Sequence, residues 1–293
     1  MFRTSLLIAM AALLLADPAA ARERRNLSVL QESARTVEGG RAVHVNVAQP
    51  ELGAAINPSN VTGAMGGGLI GAMIDSSIQA NRSGQAEVGI TPIRATLFDF
   101  DVDAIAIETT NSVVAGLPWF GGQPATFGRD PSPFAKNAAL DATSAAQVAF
   151  FDYGYELTPD FSGIRVSVLV TVANKVDANA RRPEQRLQPR YLAYSQTVTS
   201  LVQLPNATTA EVNSARWAAD NGALARQGVR AAFADLATLL PRALQFSDAD
   251  VAAAAAAPRD TTRTYPGARV IEQNETGTLF YTGGLIHVQT LGQ

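Results

Sequence analysis

The chain has 293 residues, of which 47% are hydrophobic, and its formal net charge is −3. A net charge of −3 gives no indication of nucleic-acid binding, so we expect no nucleic-acid partner. It contains no cysteine, which excludes disulfides and thiolate metal sites and leaves the hydrophobic core to hold the fold.

The first residues are typical of a secretory signal peptide. Arg3 gives a positive start, residues 6–16 form an apolar run, and Ala19-Ala20-Ala21 offers the small residues that a signal peptidase needs. The run is too short to cross a bilayer, which favours cleavage after Ala21 over an uncleaved anchor. No cysteine follows, so no lipoprotein is predicted. We expect a mature chain that begins at Arg22, in the periplasm or envelope of a bacterium.

Residues 42–48 are the first periodic segment after a charged lead-in. Val43, Val45 and Val47 share one face and His44 lies on the other. This alternation predicts a half-buried strand.

The sequence GAMGGGLIGAMID, residues 63–75, places five glycines among apolar residues. Gly66 to Gly71 formally match the G-x-G-x-x-G pattern of dinucleotide sites, but no strand directly precedes them. A Walker phosphate loop is excluded because Ala72 and Met73 stand where lysine and a hydroxyl residue are required. We therefore predict no cofactor.

Gly63, Gly67 and Gly71 are spaced by four, so they share a face if the segment is helical. Each glycine costs a helix about 0.5–1 kcal/mol relative to alanine, so such a row needs close packing in compensation. Three interpretations stay open: a buried helix, a surface for self-association or for an envelope partner, and shallow membrane contact. The apolar stretch 61–74 is too short for a transmembrane span.

Residues 91–116 predict a helix. Thr91 is placed as its N-cap and Pro92 as its first residue, and apolar residues recur every three or four positions from Ile93 to Ile107. The string FDFDVDAIAIE also alternates, so a strand is the alternative.

Asp99, Asp101 and Asp103 match the opening of a calcium-binding loop. Ala104 and Thr110 stand where that loop requires glycine and glutamate. We therefore predict no metal site and expect these carboxylates to face solvent.

Residues 117–133 are rich in proline and glycine and predict a loop. Trp119 and Phe120 lie near its start. Aromatic residues in a loop are candidates for binding, although such a loop can also turn an aromatic side chain back into the core.

The clearest strand patterns are residues 147–157 and 164–174, which a short polar loop joins. They predict an antiparallel hairpin, and residues 191–204 predict a third strand beside it.

Tyr153 and Tyr155 lie near three carboxylates, Asp152, Glu156 and Asp160. Tyrosines and carboxylates together can bind sugars or peptides or transfer protons. Alternation places the tyrosines on one face of the strand and Asp152 on the other. A half-solvated sheet with carboxylates at its turn explains the same pattern.

Residues 208–245 predict a long helix. Thr208 is placed as its N-cap with Glu211 three residues later, and Pro241 should kink the helix or end it late.

The C-terminal part predicts a linker and a small β region. The linker is the alanine run that ends at Pro258, and the short strands are residues 268–272, 278–282 and 285–290. Gly283-Gly284 joins the last two strands in a pattern typical of a two-residue hairpin.

The two histidines, His44 and His287, are far apart in the chain, and each is predicted as an outward residue of a strand. None of the G-x-S-x-G, S-x-x-K or H-E-x-x-H motifs occurs. A serine hydrolase would have to use one of these two histidines. We predict no catalytic residue and no metal ligand.

These elements predict an α+β fold: an antiparallel sheet with a central three-strand meander, helices packed on one face, and a small C-terminal β tail. We divide the chain into a signal peptide (1–21), an α+β domain (22–257) and a β-hairpin region (258–293). The candidate binding or self-association residues are Gly63, Gly67, Gly71, Trp119, Phe120, Tyr153 and Tyr155.

An exported chain with a sizeable core and no catalytic motif predicts a non-enzymatic binding, assembly or structural module. Its partner would be an envelope protein or a second copy of the chain. The alternatives are a periplasmic hydrolase that uses carboxylates and a membrane-apposed oligomer packed through the glycine row.

Overall fold

The computed structural model describes residues 28–56, 69–175, 179, 181–188, 191–262, 265 and 267–292, and for residues 69–82 it describes the backbone alone. The predicted signal peptide, together with Gly63 and Gly67, lies outside these ranges. Gly71 falls in the first turn of a long helix. Within the described part, no helix combines the length and apolar character that a bilayer crossing requires.

Seven α-helices and nine strands are described. The helices are α1 (Glu32–Arg35), α2 (Leu69–Thr96), α3 (Val102–Ala115), α4 (Pro133–Ala142), α5 (Pro183–Arg186), α6 (Ala210–Gln245) and α7 (Asp248–Ala256). The strands are β1 (Arg41–Val47), β2 (Gly53–Ala54), β3 (Thr126–Gly128), β4 (Gln147–Leu157), β5 (Gly163–Asn174), β6 (Leu192–Gln203), β7 (Arg269–Asn274), β8 (Gly277–Tyr281) and β9 (Leu285–Thr290).

All nine strands form one mixed sheet, so the prediction of an antiparallel sheet is wrong. The strand order is β3-β1-β4-β5-β6-β9-β8-β7, and β2 pairs with the end of β4. β1 runs parallel to both β3 and β4, and β9 runs parallel to β6. Alternation identifies a strand but not its neighbour. The parallel pair β1 and β4 needs a long crossover, which α2 and α3 supply.

The antiparallel meander β4–β5–β6 is present inside this mixed sheet. β8 and β9 form the expected hairpin, and Val198 of β6 pairs with Leu285 of β9. The C-terminal strands therefore extend the central sheet.

Helices cover both faces of the sheet, which corrects the expectation of helices on one face. Ala149 and Phe151 of β4 belong to the main core beneath α2, α3 and α6. The alternate residues Val148 and Phe150 pack on the opposite face against Leu140 of α4. Because successive side chains of a strand point to opposite faces, both faces of β4 are buried.

The single helix predicted over residues 91–116 is wrong, because the chain forms two helices there. α2 continues through Pro92, and the Thr91 hydroxyl donates to the Glu87 carbonyl instead of capping a helix. The second helix, α3, is capped by Asp101, whose side chain accepts from the Ala104 amide at 2.9 Å. Proline is tolerated inside α2 because Val88, whose carbonyl loses its partner, is exposed to solvent.

The long helix α6 begins after Thr209, whose hydroxyl accepts from the Val212 amide, one residue later than predicted. Its kink lies at Ala219–Gly222, with three consecutive residues of positive φ, and not at Pro241. The predicted alanine linker is helical: Ser247 and Asp250 form a capping box at the start of α7.

Candidate functional site

The C-terminal half of α2 lies between two open cavities. Ile90 and Ile93 of this helix are fully buried and anchor it on the main core. A cavity of about 520 Å³, here the Tyr155 cavity, lies on one flank. A larger depression of about 1130 Å³, here the α2 groove, lies on the other flank, between α2, the start of α6 and the β4–β5 turn. Ligand sites commonly have volumes of about 300–1,000 Å³, so both cavities are large enough to bind a small molecule.

The Tyr155 cavity combines charged, aromatic and aliphatic residues. Its lining consists of Pro50, Glu51, Leu52, Glu87, Thr91, Arg94, Ala95, Leu97, Phe98, Phe100, Val102 and Tyr155. The loop after β1, the end of α2, the α2–α3 connection and the end of β4 therefore meet here.

Tyr155 is the one predicted site residue that lines this cavity. Only 3% of its surface is exposed, and its hydroxyl has no hydrogen-bond partner among the described residues. Burial, reinforced by the negative charge of Asp103, raises the pKa of Tyr155 to about 12. The phenol therefore stays neutral near neutral pH and can both donate and accept a hydrogen bond.

Arg94 holds the charged part of the cavity together. Its Nε donates to the Leu52 carbonyl at 2.8 Å, and its Nη1 contacts Glu87 Oε1 at 2.7 Å. Glu51 is more loosely paired, with its Oε2 3.6 Å from Arg94 Nε. Both glutamates are largely exposed, so they can exchange Arg94 for a ligand at modest cost.

Phe98 projects from the α2–α3 connection with 88% of its surface exposed. Its neighbours Leu97 and Phe100 pack against the core instead. An aromatic residue so exposed beside a cavity marks a surface that can contact a ligand.

The α2 groove is lined mainly by small and apolar residues: Ala55, Ile56, Gly84, Gln85, Ala86, Val88, Gly89, Pro92, Pro159, Phe161, Ala210, Glu211, Ser214 and Ala215. Val88 projects at its edge with 77% of its surface exposed. At Gly84, an added Cβ would meet open space, whereas at Gly89 it would lie 2.8 Å from the Phe161 ring. The groove is therefore open beside Gly84 and closed beneath Gly89.

Tyr153, two residues before Tyr155 on the same face, is part of the core. Its hydroxyl lies 2.9 Å from the Thr110 hydroxyl, and its ring lies 5.5 Å from that of Phe233. Burial raises its pKa well above the usual range of tyrosine. The structure thus brings Tyr155 to an open cavity and leaves Tyr153 outside it.

Trp119 and Phe120 surround a buried arginine and do not form a loop surface. The Arg41 guanidinium lies 4.7 Å from the Trp119 ring and 4.9 Å from the Phe120 ring. It donates to the carbonyls of Ala34 and Trp119 and to the side chain of Gln147. Burial lowers the pKa of Arg41 to about 10. We call this group the Arg41 cluster.

Six of the carboxylates that a hydrolase could use have structural partners, and Glu108 is exposed on α3. Asp99 lies 2.5 Å from Arg226, and Asp101 caps α3. Asp103 pairs with Arg129, Asp152 with Lys136 and Asn46, Glu156 with Arg165, and Asp160 with Thr158 and Ser162 in the β4–β5 turn. Within the described residues, no group of three or more metal-binding side chains is present.

His287 faces α6, where its Nδ1 lies 2.9 Å from both carboxylate oxygens of Asp235. Ser200 pairs with His287 across the neighbouring strand, but its buried hydroxyl has no hydrogen-bond partner in the described part of the chain. A serine nucleophile must reach its histidine base by a hydrogen bond, so these three residues do not form a triad. His44 contacts the Thr126 hydroxyl at 2.7 Å, and burial lowers its pKa.

The chain matches no protein-family model, no curated protein and no solved structure. The two cavities beside α2 are therefore the features of the molecule from which function can be inferred.

Sequence reasoning identified Tyr155 but missed its companions Arg94, Glu51, Glu87 and Phe98. Placing a helix start at Thr91 separated Glu87 from Arg94, which lie two turns apart on one continuous helix. No local pattern distinguishes Phe98, which is exposed, from Phe100, which lies between Asp99 and Asp101 and packs against the core.

Proposed function

We propose that the chain is an exported, non-enzymatic assembly module, and that two copies associate through the α2 groove. One observation carries the proposal: a large apolar groove lies beside the exposed Val88 on α2, the helix that contains Gly71. Monomeric soluble proteins rarely expose extended apolar surfaces of this kind.

The groove suits a second copy because it carries two complementary features. Val88 is an apolar projection, and beside it Gly84, Ala86 and Ala215 leave a recess. In a two-fold dimer the same patch on each subunit must fit the other, which a projection next to a recess allows. Small residues also let two helix backbones approach closely.

Export and the absence of enzymatic activity have separate support. Export is inferred from the signal pattern of residues 1–21, which lies outside the described residues. The non-enzymatic assignment is supported by the partners of the carboxylates and by the missing serine–histidine bond. A hydrolase that used Asp99, Asp103, Asp152 or Glu156 would have to break the ion pair that each of them makes.

The test is the mass in solution of protein purified from the envelope fraction of its native host. N-terminal sequencing should give Arg22 as the first residue, and light scattering should give twice the mass of the mature chain. Val88→Asp should reduce the mass to that of one chain, because a buried unpaired charge opposes association. Val212→Asp, on α6 at an exposed position outside the groove, is the matched control and should stay dimeric.

Two results would overturn the proposal. Wild-type protein that stays monomeric at every accessible concentration would remove the second copy as occupant. Equal masses for the two aspartate variants would show that the groove does not direct association. Cytosolic material that starts at Met1 would separately overturn export.

A further inference from the structure

We propose that the Tyr155 cavity binds an organic cation: a protonated amine or a guanidinium carried on an apolar body. This site lies on the opposite flank of α2 from the groove and shares none of its lining residues. It therefore does not depend on assembly of the chain.

The charges around the cavity favour a cation. Glu51 and Glu87 contribute two negative charges, and Arg94 contributes one positive charge. Beyond them, Asp103 and Arg129 pair and cancel. The cavity thus has one carboxylate in excess. Glu51, at 3.6 Å from Arg94 Nε, is the less tightly held of the two glutamates. A ligand ammonium can pair with Glu51 while Glu87 keeps its closer contact to Arg94.

Tyr155 provides the second, independent indication of a ligand. Its side chain is almost entirely buried, and it lines the cavity with a hydroxyl that has no partner among the described residues. The hydroxyl oxygen itself is not fully buried but opens into the cavity, where a bound molecule can pair with it. The neutral phenol oxygen can accept a hydrogen bond from an ammonium or guanidinium N–H.

The apolar residues specify the rest of the ligand. Phe98 is exposed at the cavity, and Leu52 and Val102 form buried parts of its wall. A hydrophobic body would cover this surface, and the Phe98 ring can also attract a cation through its face. A small inorganic cation would leave the apolar wall in water.

An anion bound to Arg94 is the main competing arrangement. The guanidinium already donates from Nε to the Leu52 carbonyl and from Nη1 to Glu87. An incoming carboxylate would therefore compete for the remaining donors and lie close to two like charges. The contacts favour the cation.

The experiment compares two probes of similar shape and opposite charge, 2-phenylethylamine and 3-phenylpropionate, by titration calorimetry on the mature chain near neutral pH. We expect the amine to bind at least tenfold more tightly. Glu51→Gln should weaken amine binding about threefold, the effect of one partly screened charge pair. Tyr155→Phe should weaken it by a similar factor while the protein remains folded.

The matched control is Glu108→Gln, which removes the same charge from an exposed position of α3 that lines neither cavity. It should leave amine binding unchanged, as should Val88→Asp. Three outcomes would overturn the assignment: tighter binding of 3-phenylpropionate, equal effects of the Glu51 and Glu108 substitutions, or no binding of the amine at millimolar concentration.

Discussion

Arg41 and Arg94 both lie beside aromatic residues and both join distant parts of the chain. Arg41 is buried, whereas Arg94 is accessible to solvent. Arg41 is 2% exposed, and each of its three guanidinium nitrogens donates to a fixed acceptor. Arg94 is partly exposed and pairs with two glutamates that are themselves largely in solvent. The same residue types therefore serve the fold in one region and remain accessible to a ligand in the other.

The difference shows which polar groups in this molecule remain free to bind a ligand. In the Arg41 cluster, carbonyls, an amide side chain and two aromatic rings replace the water that the cation loses. At the Tyr155 cavity, a hydroxyl and two carboxylates keep unused hydrogen-bonding capacity. Substituting matched residues in the two regions separates a structural role from a binding role.

The largest effect is expected when the two arginines are each replaced by methionine. Arg41→Met leaves the acceptors of Gln147, Ala34 and Trp119 without donors, so it should lower the free energy of unfolding by about 2–4 kcal/mol. Arg94→Met, whose two glutamate partners can return to water, should lower it by about 1 kcal/mol or less. Urea unfolding of both variants measures the difference. Equal losses of free energy of unfolding would show that Arg41 contributes no more to stability than Arg94.

A second pair of substitutions compares a packed glycine with an open one. Gly222 has a φ of +71°, and a Cβ there would lie 2.8 Å from Thr96 Cβ at the end of α2. Gly222→Ala should therefore destabilise the protein by about 2 kcal/mol, through backbone strain and this overlap. Gly84→Ala, in a helix with open space around it, should stabilise the monomeric Val88→Asp variant by about 0.5–1 kcal/mol.

Thermal or urea unfolding distinguishes these two glycines. The opposite signs are the informative result, because both changes add the same methyl group. Stabilisation by Gly222→Ala would mean that α2 is not anchored against the α6 kink as the structure shows. Destabilisation of that monomeric variant by Gly84→Ala would mean that the chain itself fills the space beside Gly84.

Local patterns in the sequence predicted strands well and strand neighbours poorly. Residues 147–157 alternate clearly, and β4 has those bounds. Its antiparallel partner β5 follows after a short turn, so pairing is local. The parallel partner β1 lies about a hundred residues away, and no pattern within either strand encodes that contact. Sequence periodicity therefore could not predict that the sheet is mixed.

The predicted helix boundaries were wrong where the sequence contains two possible N-caps. Thr91-Pro92 and Asp101 both precede apolar residues, and only packing decides between them. Ile90 and Ile93 are buried on the core, which carries α2 through Pro92. The kink of α6 contains the Asp220-Asn221-Gly222 tripeptide, a turn signal that was available in the sequence.

The candidate site was predicted only in part for the same reason. Tyr153 and Tyr155 were equivalent in the sequence because they share a face of one strand. Their difference arises from α3, which brings Thr110 to Tyr153, and from the α2–α3 connection, which leaves the hydroxyl of Tyr155 open. Likewise, the sequence around Trp119 and Phe120 did not indicate their contact with Arg41, which lies 78 residues earlier in the chain than Trp119.

The smallest expected effect comes from removing these two hydroxyls one at a time. Tyr153→Phe leaves the buried Thr110 hydroxyl without its partner, so it should lower the free energy of unfolding by about 1 kcal/mol. Tyr155→Phe removes a hydroxyl that has no partner among the described residues, so stability should change by less than about 0.5 kcal/mol. Both tyrosines are 3% exposed, and each substitution keeps the ring and removes only the hydroxyl. A loss at Tyr155 as large as that at Tyr153 would show that the cavity is closed over its hydroxyl, and the contrast between the sealed and open regions would then fail.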